Sequence, residues 1–202
     1  MFAGIDQTSI GHKETFVPTT LNPSDKSADV TLSNGNLTIT AGSLNGGARG
    51  IVSQSAGKHY FEITVDLNIP FIGLATALWN LTTDIAASGG ANTDENIWVY
   101  RPTGNTYHGG AAASYGDVLG NGDIIMVAAD FDAGKIWWGG EGVWFESGDP
   151  AAGTNPAYSD LTAAFPFGGV GGPDRQATFN FGQSPFVFEP PAGFFPGWGT
   201  LI

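Results

Sequence analysis

The sequence predicts an all-β fold, a two-sheet antiparallel β-sandwich with a short N-terminal arm and an extended C-terminal tail. Three observations carry this. Short apolar runs recur between Gly, Asn, Asp and Pro clusters every 8 to 12 residues or so, the spacing of strands and turns in a sandwich. No long stretch shows the 3.6-residue period of an amphipathic helix, and no fixed repeat suggests a propeller or solenoid. The 202 residues include 31 glycines for turns, with 42% hydrophobic and 12% aromatic content for a core. A chain of this length buries close to about 70% of its unfolded surface, so it suits one domain that needs no staples.

Along the chain, residues 1–20 are polar without a firm period and read as an N-terminal arm; the domain follows over 21–202, its core over 45–190. Asp29–Ser33 and Asn36–Thr40 flank Asn34-Gly35. That dipeptide favours positive φ at both central turn positions and predicts a two-residue hairpin. Gly42–Gly50 reads as a glycine-rich loop. Lys58–Val65 alternates cleanly, with His59, Phe61, Ile63 and Val65 on one face and Tyr60, Glu62 and Thr64 on the other. Phe71–Ala77 is an apolar run, and Trp79–Asn96 a long polar loop whose Ala86-Ala87-Ser88-Gly89-Gly90 leaves room for one helical turn. Ile97–Arg101 is strand-like, Thr103–Thr106 reads as a turn, and Ala111–Gly122 is small and glycine-punctuated.

The most telling stretch is Gly122–Trp144. The run Ile124–Ala129 ends in Asp130-Phe131-Asp132-Ala133-Gly134, Ile136-Trp137-Trp138 follows, and Val143-Trp144 comes after a glycine turn. This is the pattern of consecutive antiparallel strands. Trp137 and Trp138 are adjacent in a strand and point to opposite faces, one into the core and one outward or under a covering segment. Ser147–Leu161 is a second long loop, Phe165–Gly171 and Ala177–Phe181 are late strands, and Ser184–Gly199, rich in Pro and Phe, lies extended over the sheet.

Several of these segments resemble the SPRY (B30.2-like) domain. They are Gly57-Lys58-His59-Tyr60-Phe61-Glu62-Ile63, Phe71-Ile72-Gly73-Leu74-Ala75, Gly122–Asp130, Gly134-Lys135-Ile136-Trp137-Trp138, Val143-Trp144 and Ala177–Gly182, in the family's order. The resemblance spans roughly residues 45–190. His59 departs from it, since the family usually has an aromatic there, and so does the turn Gly139–Gly142, where a Lys/Asn-containing turn is more usual. Leu21–Ala28 before Thr31–Thr38, together with Gly148–Ala157 and Pro190–Phe194, is similar to SPRY-like proteins of tailed bacteriophages and prophages. The resemblance implies a jelly-roll-like sandwich without catalysis of its own that binds partners through loops at one end. Fold alone does not fix function.

Charge narrows the partners. Seven Lys and Arg stand against nineteen Asp and Glu, a formal net charge of -12. Duplex nucleic acid requires clustered basic residues, and an anionic membrane repels such a surface, so neither is an expected partner. There is no cysteine, hence no disulfide or thiolate metal site. The start, Met1–Asp6, lacks a basic region and a long apolar run and does not read as a secretion signal, and no run reaches the length of a membrane span. A virion protein made in the host cytoplasm is the localisation this implies.

Catalytic and metal signals are weak. Asp130 and Asp132 pair oxygens that suit calcium, but the remainder of a calcium loop is missing, and Asp before Gly is ordinary turn chemistry. His12, His59 and His108 form no metal-binding pair. No nucleophile elbow occurs, and Gly46–Gly50 lacks the Lys-Ser/Thr of a phosphate loop. Glu141, Glu146 and Asp94-Glu95 are the carboxylates from which a polysaccharide hydrolase would have to be built. No catalytic residue, cofactor or metal ligand is expected. Loop residues that combine aromatic platforms with directed hydrogen bonds are the expected contacts: Trp79, Asn80, Asp84, Asn92, Tyr107, His108, Asp149, Asn155 and Tyr158. The leading reading is a virion-surface fibre, receptor-binding or decoration component. Its arm docks on other virion proteins and its loops touch host glycan or protein; a homo-oligomer is compatible with it. A free-standing binding module is the alternative.

Overall fold

The structure, a computed structural model, describes residues 14–42, 45–68, 70–82, 94–110 and 112–202. In chain order the strands are β1 (Phe16–Pro18), β2 (Leu21–Lys26), β3 (Val30–Ser33), β4 (Thr38–Ala41), β5 (Asn45–Gly50) and β6 (Lys58–Leu67). Then come β7 (Phe71–Ala75), β8 (Ile97–Arg101), β9 (Thr103–Tyr107), β10 (Ala113–Val118), β11 (Ile124–Asp130) and β12 (Lys135–Gly140). Last are β13 (Val143–Trp144), β14 (Phe165–Gly171), β15 (Gln176–Asn180), β16 (Phe195–Pro196) and β17 (Gly199–Leu201). The front sheet runs β10-β9-β8-β7-β14-β5-β2, the back sheet β13-β12-β11-β6-β15-β4-β3, and β1 pairs with β17 in a separate ribbon. All pairings are antiparallel except that of β16, which runs parallel to β6 opposite His59 and Tyr60, where β15 has already left that edge. The expected two-sheet sandwich is therefore what forms.

The main core lies between the sheets, with Phe61, Ile63 and Val65 of β6 facing Ile72, Leu74 and Trp98 of the front sheet. Two smaller clusters cover the outer faces. Phe71, Ile97, Val99 and Phe167 on the front sheet lie under Trp79 and Leu81. Tyr60, Met126, Ala128 and Trp137 on the back sheet lie under Phe186, Phe188 and Phe194 of the tail. Central strands are thus buried on both faces, which is why β7 and β11 read as continuous apolar runs rather than as alternation. Trp138 belongs to the inner core and Trp137 to the outer cluster, as their adjacency requires.

One carboxylate fixes the tail. Glu62 is 2% exposed on the outer side of β6. Its Oε1 accepts the Tyr60 hydroxyl at 2.8 Å and the Phe188 amide at 2.8 Å, and its Oε2 accepts the Val187 amide at 2.9 Å. A buried charge is tolerated when hydrogen bonds replace the water it loses. Burial, reinforced by Glu62, raises the Tyr60 phenol well above its ordinary value, so it stays a donor.

Three expectations are corrected. The Asn34-Gly35 hairpin exists, but its loop is four residues long, because Ser33 pairs with Thr38. Asn34, Gly35 and Asn36 all take positive φ, and the Leu37 amide folds back onto the Ser33 carbonyl. The Gly42–Gly50 loop is instead strand β5, with Gly42 before it. Its glycines serve close approach rather than flexibility: a Cβ on Gly47 would meet the Phe167 ring at 2.5 Å. Thr103–Thr106 is not a turn but part of β9, the reversal being centred on Pro102–Gly104 between the paired Arg101 and Asn105. Within the glycine-punctuated Ala111–Gly122, to which the sequence assigned no element, lies β10, bulged between Ser114 and Val118. Of the arm over residues 1–20, residues 1–13 lie outside the described residues, and Phe16–Pro18 pairs with Gly199–Leu201.

Replacing Glu62 by Gln keeps the shape but puts a donor where one acceptor stood, leaving a tail amide unpaired. Glu62→Gln is expected to lower stability in urea unfolding by about 1–3 kcal/mol, and Tyr60→Phe by about 1 kcal/mol. An unchanged midpoint for Glu62→Gln contradicts the anchoring role.

Candidate functional site

The connections 51–57 and 131–134 and the described ends of those after β7 and β9 lie at one end of the sandwich, and residues 158–165 cross that end from one sheet to the other. Tyr158 bridges to Ile136 of the back sheet, the Leu161 amide donates to Gly134, and Phe165 pairs with Ala75 of the front sheet. The base of the 76–96 connection is fixed by Arg49 of β5. Its Nη1 donates to the carbonyls of Thr76 at 3.1 Å and Trp79 at 2.7 Å, while Nε and Nη2 hold Asp25 bidentately at 2.7 and 2.9 Å. A planar fork can satisfy both partners at once, which a lysine cannot.

Four side chains meet where the crossing segment passes β8 and the end of β9. The Trp98 indole Nε1 donates to Asp160 Oδ1 at 3.0 Å, and His108 Nε2 lies 2.8 Å from Asp160 Oδ2. His108 Nδ1 lies 2.9 Å from the Ile97 carbonyl, so both ring nitrogens face acceptors. The imidazole stacks on Trp98 at 4.8 Å, and Tyr158 meets it edge-on at 5.0 Å. Asp160 keeps 61% of its side chain exposed. Partial burial pushes its carboxyl upward, but the hydrogen bonds from Trp98 and His108 and the charge of His108 outweigh this and hold it below its usual range. Burial raises the Tyr158 phenol. The result is an exposed carboxylate held by two donors above a rigid aromatic stack.

Of the expected contact residues, the structure brings His108 and Tyr158 together here. Trp79, 2% exposed, and Tyr107 belong to the outer cluster of the front sheet, where Tyr107 meets Phe71 edge-on at 5.5 Å. Asn80 caps its own loop by accepting from the amide and hydroxyl of Thr82. Asp149 accepts from the Ala152 amide, and Asn155, at positive φ, donates to the Ser147 carbonyl. These two shape the loop that covers Trp137, whose indole donates to the Thr154 carbonyl at 2.8 Å. Asp84, Asn92, His12 and the turn at Ala86–Gly90 lie outside the described residues. Trp98 and Asp160 were not among the expected contacts. The available signal was that a buried indole needs an acceptor, and an acid two residues beyond Tyr158 in a loop supplies one.

Four of the acids singled out in the sequence, Asp130, Asp132, Glu141 and Asp94, shape turns and loop ends. Asp130 accepts the Ala133 amide and pairs with Lys58 at 3.0 Å, and Asp132 accepts the Gly57 amide, so the Asp-Phe-Asp-Ala-Gly stretch is a turn. Glu141 accepts the Ile124 amide at 2.6 Å, and Asp94 that of Asn96 at 2.7 Å. No group of three metal-ligating side chains occurs among the described residues, and no helix among them is long and apolar enough to cross a membrane.

Fold and site together define a β-sandwich recognition domain whose loops converge on one end. The chain belongs to the SPRY domain family, which matches residues 58–184. Among solved structures it is similar to the SPRY domain of human HERC1, with a TM-score of 0.60 at 18% identity over 82% of this chain and 99% of that one. No curated protein matches the chain in sequence. SPRY domains are protein–protein interaction modules, generally without catalysis.

Because the folded state holds Asp160 below its ordinary value, its stabilisation is present above the unfolded carboxylate range and is lost as pH falls through it. The stability gap between the unmodified chain and Asp160→Asn is therefore expected to be widest near neutrality. It should close in urea titrations as pH falls from the unfolded carboxylate range through the lower folded-state value. A gap independent of pH would show that the depressed carboxyl is not its source.

Proposed function

We propose that this chain is a non-enzymatic recognition protein of a tailed-phage or prophage virion surface that grips a host-surface partner through the Trp98–His108–Tyr158–Asp160 end of its sandwich. The carrying observation is the exposed Asp160 carboxylate, fixed by Trp98 and His108 over an aromatic platform. A group already held in place loses little entropy on binding, and aromatic anchors beside a rigid charge are the usual make-up of an interaction hot spot. A cationic group on a protein partner fits it best. Both His108 nitrogens already face Ile97 and Asp160, so this ring offers no free nitrogen to an attacking nucleophile. The arrangement favours recognition over hydrolysis.

The virion setting rests on the segments Leu21–Ala28, Gly148–Ala157 and Pro190–Phe194, similar to SPRY-like proteins of tailed phages, and on a chain with only 13% charged residues. A fibre, receptor-binding or decoration role follows from that setting, with assembly in the host cytoplasm and attachment through residues at the N-terminal end.

Mass spectrometry of purified particles is expected to find the chain; its absence leaves a free-standing binding module. Purified protein is expected to be retained on host cells, and Asp160→Lys to lower that retention at least about tenfold, a hot-spot-scale loss. Unchanged retention of the variant sets the contact elsewhere.

A further inference from the structure

The ribbon of β1 and β17 leaves one edge open. Thr15 and Ile202 exchange both backbone hydrogen bonds, and the Thr19 amide donates to the Trp198 carbonyl. In the alternating antiparallel pattern the intervening pair Phe16–Leu201 exchanges none, so the Leu201 N–H and C=O point away from β1. The Gly199 carbonyl points the same way, and the Gln54 side chain takes it at 2.7 Å. Between this edge and the 51–57 connection lies a cleft of roughly 400 Å³, lined by Phe16, Val52, Gln54, His59, Phe195 and Leu201 among others. Of its lining residues, only Lys58 and His59 fall inside the SPRY match over 58–184. None is Trp98, His108, Tyr158 or Asp160.

Phe16 and Leu201 are cross-strand partners and share a face, and Phe195 packs on Phe16 at 4.7 Å. A strand added beside β17 would place the residue opposite Leu201 on that same face, with its side chain in the cleft. Leu201, 53% exposed, and Ile202, 75% exposed, form an apolar rim that nothing in the described fold covers. The surroundings are acidic. The chain carries nineteen acids against seven bases, Glu14 adjoins the ribbon and is exposed, and Asp132 caps Gly57 at the cleft wall. Lys58, the basic residue in the lining, is paired with Asp130 at 3.0 Å.

We propose that the open edge of β17 and its cleft form a second interaction site, which takes an extended, basic segment of a partner protein by strand addition. Main-chain hydrogen bonds to Leu201 supply register, one apolar side chain opposite Leu201 fills the cleft, and flanking Lys or Arg residues answer the acidic surface. The Gln54 side chain on Gly199 marks the closed end of the site, so the added strand is short.

The test uses the full chain and acetylated, amidated Lys-Lys-Thr-X-Thr-Lys-Lys peptides, with X as Phe, Leu or Ala. Binding is expected for Phe or Leu, weakened about tenfold or more for Ala, reduced by salt, and accompanied by slowed hydrogen exchange at the Leu201 amide. N-methylation at X is expected to abolish binding, while N-methylation at the next Thr, whose amide faces outward, leaves it intact. Leu201→Pro removes the outward N–H without removing a hydrogen bond to β1 and is tolerated at a strand edge; it should lose binding at least about tenfold with unchanged circular dichroism, while Leu201→Val and Leu201→Ala, which keep the N–H, retain more of it. Asp160→Lys should bind the peptides normally, which separates this site from the loop end. The proposal is overturned if no peptide binds below about 1 mM, or if N-methylation at X and Leu201→Pro are without effect. It is equally overturned if sedimentation shows a second copy occupying the ribbon edge, or if only deletion of residues 1–13 uncovers binding.

Discussion

The structure depends on a buried carboxylate. Glu62 lies on the outer side of the central strand of the back sheet, where an ionised group without partners would be costly. Its two oxygens collect three donors, two of them consecutive amides of the tail at Val187 and Phe188. Because the donors are backbone groups, they specify a path for the chain rather than a residue type. The tail is led across β6 at one place, and Phe186, Phe188 and Phe194 close over Tyr60 and Trp137. Past that point the same segment supplies β16, the Trp198 ring in the inner core and β17.

The front sheet has a counterpart in Arg49. It too is an almost fully buried charge; beside the Asp25 carboxylate, its partners are backbone carbonyls, those of Thr76 and Trp79. That contact sets where the 76–96 connection leaves the sheet and seats Trp79 over Phe71 and Phe167. Each outer face is thus roofed by a segment that a single charged side chain holds by its main chain. The proposed recognition end is braced from the inner core: Trp98 of β8 belongs to that core and donates to Asp160 of the crossing segment.

Much of this was legible in the sequence, and the reasons for what was not are physical. The Lys58–Val65 alternation and the Ile124–Trp138 hairpin gave the back sheet its axis, because apolar periodicity and turn residues act locally. Strand β5 was hidden because its glycines are chosen for the ring of Phe167 and the side chain of Ser27, which lie far away in sequence. Strand β9 was hidden because Thr-Gly-Asn-Thr has turn composition and becomes a strand through its neighbours β8 and β10. At the candidate site, His108 and Tyr158 stood out as loop-border aromatics. Asp160 did not, since its role arises from Trp98 and His108, more than fifty residues earlier. Trp79 and Tyr107 carried the same loop-border signal and turned out to be roofing.

The pairing of β1 with β17 bears on how the molecule is made. Phe16 emerges long before its partner Leu201, so the ribbon closes a loop that spans the whole sandwich. Trp198 of the inner core and the β16 pairing arrive equally late. Long-range closures of this kind slow folding and leave sheet edges and apolar faces open meanwhile. A nascent chain that has already paired β6 with β11 still exposes Tyr60, Trp137 and the floor beneath Trp198. Completion of this sandwich therefore waits on its tail, and its vulnerability to self-association is concentrated in the interval before the tail arrives.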